Sequence, residues 1–177
     1  MKYVAFLRAI NVGKRRVKMD VLCRQFEALG FLNVHSYIQS GNVVFEALAA
    51  PHNQLEREIE EQLQEALGFE VPAMVRTARQ VQDVLEHQPF PEETIGERDT
   101  LYVSFLKEVP AKEKQEALLS QTSDIDVFHI YDHHLYWLYH RGLGESEFTN
   151  AKIEKILKVS ATRRNINTVR KLAKKYF

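Results

Sequence analysis

The residues best suited to chemistry lie in two short polar stretches near the start of the chain, Arg8 to Arg16 and Gln39 to Asn42. Arg8, Asn11, Gly13, Lys14, Arg15 and Arg16 offer guanidinium, ammonium and carboxamide groups around a glycine that permits a tight turn. Gln39, Ser40, Gly41 and Asn42 add a second turn rich in amides and a hydroxyl. Cations beside exposed backbone N–H groups suit a phosphate or a carboxylate. These are also the residue types that tight turns need for purely local reasons. A second polar group comes late in the chain: Thr149, Asn150 and Lys152, then Thr162, Arg163, Arg164, Asn165, Asn167 and Thr168. Thr162 or Asn165 is placed to cap the last helix, whose amino terminus would favour an anion near Arg163 and Arg164.

Other constellations carry less. Gly142-Leu143-Gly144-Glu145 lacks the third glycine of a dinucleotide loop, and Gly13-Lys14 lacks the spacing and the Ser/Thr of a phosphate loop. His129, His133, His134 and His140 surround one hairpin without metal-ligand spacing. Asp124 and Asp126 read as solvated carboxylates at a strand start, and Trp137, Tyr136 and Tyr139 as core. No nucleophile elbow, zinc helix or paired-cysteine motif occurs, so no catalytic residue, metal or cofactor is indicated.

The elements that must position these groups follow from periodicity. Tyr3 to Leu7 is an apolar run suited to a strand buried on both faces. Met19, Leu22, Phe26 and Leu29 mark a helix closed by Gly30, with Cys23 as a buried helical thiol. Val34–Gln39 and Val43–Glu46 form a hairpin around Ser40-Gly41-Asn42. Pro51 opens a second helix ending at Gly68. Both helices close on the same tetrapeptide, ALGF, the pattern of a left-handed glycine cap. Val71–Arg76 is a fourth strand, its early Pro72 fitting a sheet edge, and Thr77 caps a short helix. The order strand, helix, strand, strand, helix, strand is that of the ferredoxin-like split βαβ unit. Its right-handed crossover puts the loop after the first strand and the first hairpin turn at one end of the sheet.

The second half begins again in the same way. YVSFLK at Tyr102–Lys107 matches YVAFLR at Tyr3–Arg8 almost residue for residue. A helix from Pro110, a hairpin of Asp126–Ile130 with Leu135–His140, and a helix over Asn150–Val159 follow. A final helix from about Asn165 stands where the last strand would be. The fold expected is therefore α+β, with two ferredoxin-like halves, the second ending in an extra C-terminal helix. Residues 1–86 form the first half, the Pro- and charge-rich 87–99 a linker, and 100–177 the related βαββα half plus helix.

Length and composition bound the rest. The 177 residues suffice for two small domains, and 45% hydrophobic with 27% charged residues is ordinary for a globular chain. No run approaches a membrane span, Met1-Lys2 leads directly into a strand, and the single cysteine excludes an internal disulfide, so a cytoplasmic protein is expected. The net charge of zero conceals a partition: residues 1–24 carry seven Lys/Arg and one acid, and residues 152–177 nine and one. Between them lie 22 acids against eight bases. The two basic ends would form one positive face if they met in space.

FLRAINVG at Phe6–Gly13, YIQSGNVVF at Tyr37–Phe45, VPAMVRT at Val71–Thr77 and TNAKIEKILKVSATRRNINTV at Thr149–Val169 resemble a bacterial family, the domain-of-unknown-function 1697 proteins. The resemblance implies a two-part α+β structure with ferredoxin-like elements, and brings no activity, cofactor or catalytic residue. This chain has Ala9, and Gly13-Lys14-Arg15-Arg16, where the family often has a glycine and a glycine pair, which makes the loop stiffer and more basic. Three functions are compatible with these residues. One is binding of an anionic ligand, a phosphorylated small molecule or a nucleic-acid backbone, at the rim of the first sheet. Another is a small enzyme in which Arg8, Asn11, Ser40 and Asn42 orient a phosphorylated or carboxylated metabolite. The third is a protein-interaction module using the acidic middle segment. Oligomeric state is open.

Overall fold

The computed structural model describes residues 1–13 and 16–177; Lys14 and Arg15 lie outside the described residues. The chain divides into two compact units, Met1–Gln82 with Leu172–Phe177, and Asp83–Lys171. The last six residues thus return to the first unit. Residues 87–99, expected as a linker, fall within the second.

In the first unit, β1 (Lys2–Leu7), α1 (Met19–Ala28), β2 (Leu32–Tyr37), β3 (Asn42–Glu46), α2 (His52–Leu67) and β4 (Ala73–Thr77) follow in order, and α3 (Ala78–Glu86) begins in it and ends in the second. The strands form one antiparallel sheet in the order β2-β3-β1-β4. With β3 between them, β1 and β2 run parallel, as the crossover rule requires. β1 pairs on both sides, Val4 lying opposite Val44 of β3 and Arg76 of β4. Tyr3 to Leu7 are all buried, so the apolar run sits where no face meets water. Pro72 precedes β4 at the sheet edge, where its missing N–H removes no ladder bond.

One face of this sheet carries the helices. Leu22 and Phe26 of α1 and Leu55, Ile59 and Leu63 of α2 pack with Tyr3, Ala5, Leu7, Val43, Phe45, Ala73 and Val75. Stacked Phe31 and Phe45, 4.6 Å apart, sit among them. Gly30 and Gly68 adopt φ of 80° and 77°. After α1 the N–H of Phe31 returns to the carbonyl of Phe26, the long bond of a Schellman ending that folds the apolar ring back on the last turn.

The second unit repeats the plan with β5 (Thr100–Leu106), α4 (Lys112–Leu119), β6 (Asp126–Tyr131), β7 (His134–Tyr139), α5 (Asn150–Leu157) and β8 (Ala161–Asn165), and α6 (Ile166–Tyr176) begins in it. Its sheet order is β6-β7-β5-β8, antiparallel throughout. The sequence predicts a helix in place of a fourth strand here, and β8 corrects this. ATRRN lacks the apolar run of a buried strand, since Thr162, Arg163, Arg164 and Asn165 are polar, yet Arg164 is only 8% exposed. Register against β5, not composition, makes it a strand.

Each half repeats the same internal hydrogen bonds as well as the same element order. Leu7 N–H donates to Gly41 O at 2.8 Å and Leu106 N–H to His133 O at 2.9 Å. Arg8 N–H donates to Pro72 O and Lys107 N–H to Ser160 O, both at 2.9 Å. Glu60 of α2 accepts from Ala73 N–H, and Glu154 of α5 from Ala161 N–H, both at 2.8 Å.

Thr77 starts α3 through a reciprocal pair. Its hydroxyl accepts from Gln80 N–H at 3.2 Å, while the Gln80 side-chain oxygen accepts from Thr77 N–H at 2.9 Å. Thr77→Ala therefore lowers unfolding stability by about 1 kcal/mol, measured as a shift in urea midpoint at unchanged slope.

Candidate functional site

The two polar stretches of the first unit meet at one rim. The amide of Leu7, the last residue of β1, donates to Gly41 O at 2.8 Å, fastening the strand end to the hairpin turn. Asn11 locks the loop that follows. Its Nδ2 donates to Gln39 O at 3.0 Å and to Val17 O at 3.2 Å, and its Oδ1 accepts from Val17 N–H at 2.8 Å. With three bonds inside the protein, the Asn11 carboxamide is a clamp for the loop. Asn42, fully buried, does the same for the turn, donating to Tyr37 O at 3.0 Å and to Ser40 Oγ at 2.8 Å. Gly41 is needed for space: a Cβ there would stand 3.0 Å from Ile10 Cβ and 3.1 Å from Leu7 Cβ, at φ +71°.

Above this joint the backbone alternates in sign. Ala9, Asn11 and Gly13 have φ of 59°, 58° and 62°, with Arg8, Ile10 and Val12 outside the left-handed region. Such alternation turns successive N–H groups toward one concavity, the arrangement that holds anions in backbone nests. Among the described residues, no acceptor receives the N–H of Ala9, Ile10, Asn11 or Gly13. Arg8 is half-buried beside β4, its amide bonded to Pro72 O. Gly13, Arg16 and Gln39 are exposed and Ser40 is half-buried. Lys14 belongs to the same loop in sequence but lies outside the described residues.

The late polar group is built into the second unit. Thr149 caps α5, its hydroxyl accepting from Lys152 N–H at 3.1 Å. Asn150 Nδ2 donates to Ala161 O at 2.9 Å, tying α5 to β8, while its Oδ1 is shielded and accepts nothing among the described residues. Asn165 Oδ1 accepts from Asn167 N–H at 2.8 Å and so starts α6. Arg164 is buried, and its Nη1 donates to Thr162 Oγ1 at 2.7 Å and to Arg163 O at 2.9 Å. Burial pushes its guanidinium down to about 10, so it remains charged at neutral pH. Arg163 lies over two rings, its Cζ 4.5 Å from the centre of Tyr102 and 4.7 Å from that of Trp137.

The basic ends touch, but away from the rim. Lys2 Nζ donates to Tyr176 O at 3.1 Å, and Lys2, His35, Glu46, Lys175 and Tyr176 line a groove of about 310 Å³. Lys2 opens β1 and the rim follows Leu7, so roughly 17 Å of strand separates the two places. The histidines are dispersed: His133 bonds Asp132 at 2.9 Å, His140 bonds Asp99 at 2.7 Å, and His134 stands edge-on to Phe105. Asp126, expected in solvent, is buried and accepts from Trp137 Nε1 at 2.8 Å, a correction that the indole N–H enforces. Sequence spacing also missed His87, whose Nε2 lies 3.1 Å from Nε2 of His129 and whose ring stacks on Tyr131 at 4.1 Å. No local pattern links positions 42 residues apart.

Residues 1–136 match the family model described as "Protein of unknown function (DUF1697)". A solved structure, that of the conserved bacterial protein SP0830 from Streptococcus pneumoniae, matches with a TM-score of 0.72. The match covers 98% of this chain and 97% of that one at 24% identity, which is a likeness of fold. No curated protein matches the chain.

Two outcomes test this geometry. Gly41→Ala combines the left-handed strain with the contacts to Ile10 and Leu7 and destabilises by about 2–4 kcal/mol, whereas Gly13→Ala, with open space around it, loses about 1–2 kcal/mol. Urea unfolding of the two variants separates them. Burial, and then the neighbouring His87 charge, hold His129 below its ordinary 6.5. The unfolded chain takes up a proton there that the folded chain resists, so stability is full above pH 6.5 and falls as pH drops below it. His129→Gln flattens that part of the urea-midpoint profile.

Proposed function

The chain belongs to the DUF1697 family of proteins of unknown function, and from that premise we propose that it binds a small anionic ligand at the rim of the first unit. The ligand meets the loop after β1 at the turn between β2 and β3. The observation that carries this reading is the backbone alternating in φ over Ala9–Gly13, with the N–H groups of Ala9, Ile10, Asn11 and Gly13 lacking acceptors among the described residues. In a folded protein most N–H groups find partners, and a run of them without acceptors on a fixed scaffold is suited to an anion. The scaffold is fixed by Asn11 and Asn42, whose carboxamides bond the loop and turn together. These two side chains hold the site in shape, and contact with the ligand falls to the amides, to exposed Arg16 and to Lys14.

The chemistry favours phosphate. Backbone N–H donors supply direction and the cations of Lys14, Arg15 and Arg16 supply charge, a division of labour also used by phosphate-binding loops. Each charge-assisted hydrogen bond contributes about 1.5–3 kcal/mol once solvent is displaced. A phosphorylated metabolite needs only this rim. A nucleic-acid backbone would in addition require several phosphate contacts and a steep loss of affinity with salt.

Thermal-shift titration with inorganic phosphate, phosphorylated sugars, nucleotides and short RNA at two salt concentrations tests the reading. A phosphorylated small molecule raises the melting temperature, and at about 100 times its Kd adds about 2.7 kcal/mol of stability. Lys14→Ala and Arg16→Ala each weaken that binding about tenfold. The reading fails if no phosphate compound shifts melting, or if the shift survives both substitutions unchanged.

A further inference from the structure

The halves share a plan, but their covering helices differ in length, and the difference exposes a second place with anion-binding chemistry. The matched glutamates, Glu60 and Glu154, align α2 with α5. α2 begins at His52, eight residues before its glutamate, and α5 at Asn150, only four before. One turn of helix is therefore absent from the second unit. In the first unit that turn covers the end of the sheet. His52 stands edge-on to Tyr3 at 6.5 Å, Leu55 is buried, and Tyr3 is 1% exposed. Tyr102, the counterpart of Tyr3, is only half-buried, and Arg163 stands where the first unit has buried Val75.

Two guanidiniums occupy this uncovered end. Arg163 lies over the face of Tyr102 at 4.5 Å and over the indole of Trp137 at 4.7 Å. Arg141 donates to the hydroxyl of the same Tyr102 at 3.2 Å and to Thr100 Oγ1 at 3.2 Å, and its Cζ is 5.1 Å from the ring of Tyr139. Among the described residues, neither arginine has a carboxylate within ion-pair distance. Asp99, next in sequence to Thr100, is held by His140 Nδ1 and by Gly96 N–H, both at 2.7 Å. Burial lowers Arg163 from its ordinary value, and the neighbouring Arg141 charge lowers it further, against the raising effect of Tyr102.

A side chain serving only to plug the gap left by a helical turn would be apolar, as Val75 is, because partly burying a cation without a carboxylate is unfavourable. Aromatic faces compensate in part, and they hold the planar guanidiniums in fixed orientations. We propose that this end of the second sheet is an anion-binding site in which Arg141 and Arg163, oriented by Tyr102, Trp137 and Tyr139, bind the dianionic phosphate group of a small phosphate monoester. The two positive charges match the two negative charges of the ligand, and the proposal stands independently of the rim in the first unit.

The chain has a single tryptophan, so its emission reads this site and not the rim. Phenyl phosphate titrated into the full chain changes Trp137 emission saturably, while phenol does not, and benzoate, a monoanion on the same ring, binds at least about tenfold more weakly. By calorimetry, Arg141→Gln and Arg163→Gln each weaken phenyl phosphate binding about tenfold or more, and Arg16→Ala leaves the emission response unchanged. Arg141 is exposed, so Arg141→Gln folds as the parent does and decides the matter if Arg163→Gln does not fold. The proposal is overturned by the absence of a saturable emission change, by wild-type affinity in Arg141→Gln, or by benzoate binding as tightly as phenyl phosphate.

Discussion

A central strand has neighbours on both edges and cover on both faces, and every backbone group in it must find a partner within the protein. β1 meets this constraint with β3 on one side and β4 on the other, and β5 with β7 and β8. At the end of each strand the ladder does not simply stop. Leu7 and Leu106 pass their amides to the carbonyls of Gly41 and His133 in the facing hairpin turns, and Arg8 and Lys107 pass theirs to Pro72 and Ser160. A buried amide left unpaired costs about 1–3 kcal/mol, so these terminal bonds fix where the loop departs and against which turn it lies. The rim is a consequence of that closure. The loop after β1 leaves the end of that ladder, and its next amides, at Ala9, Ile10 and Asn11, are the first without an acceptor among the described residues.

The same constraint is met in both halves with different cover. In the first, a long α2 buries Tyr3, and Tyr3 and Phe31 stacked on Phe45, with Phe26 edge-on to it, fill the space between sheet and helices. In the second, the shorter α5 leaves Tyr102 to be covered by Arg163, and the core is made from Phe128, Trp137 and Phe148. Two buried carboxylates are satisfied from other elements. Asp126 takes the indole N–H of Trp137, and Glu56 accepts from Val75 N–H at 2.9 Å while lying 3.9 Å from the buried Arg76. A duplicated plan has thus been specialised by the length of one helix and the chemistry of a few side chains beneath it.

Much of this was legible in residue order. The apolar run Tyr3–Leu7, the two ALGF endings, the hairpin turn and the repeat YVAFLR/YVSFLK each report a local physical demand: two-sided burial, left-handed closure, a tight reversal, the same strand used again. β8 was hidden because its residues are polar, and its strand state comes from pairing with β5. Asp126 read as solvated because nothing adjacent in sequence tells of the indole that reaches it from β7. Arg141 carries no local signal because its partners, Thr100 and Tyr102, lie 41 and 39 residues away.

By itself the sequence determined the class of the fold, the succession of elements through the first half, the duplication, and that the first strand leads into a basic loop facing a glycine turn. These follow from periodicity, capping and turn chemistry, which act over a few residues. Only the tertiary structure decided that Asn11 and Asn42 are clamps, that the basic ends meet at the start of β1 away from the rim, and that two arginines share Tyr102 at an uncovered sheet end. Those outcomes depend on which acceptor, ring or helical turn arrives from a distant part of the chain, and that is set by packing and register.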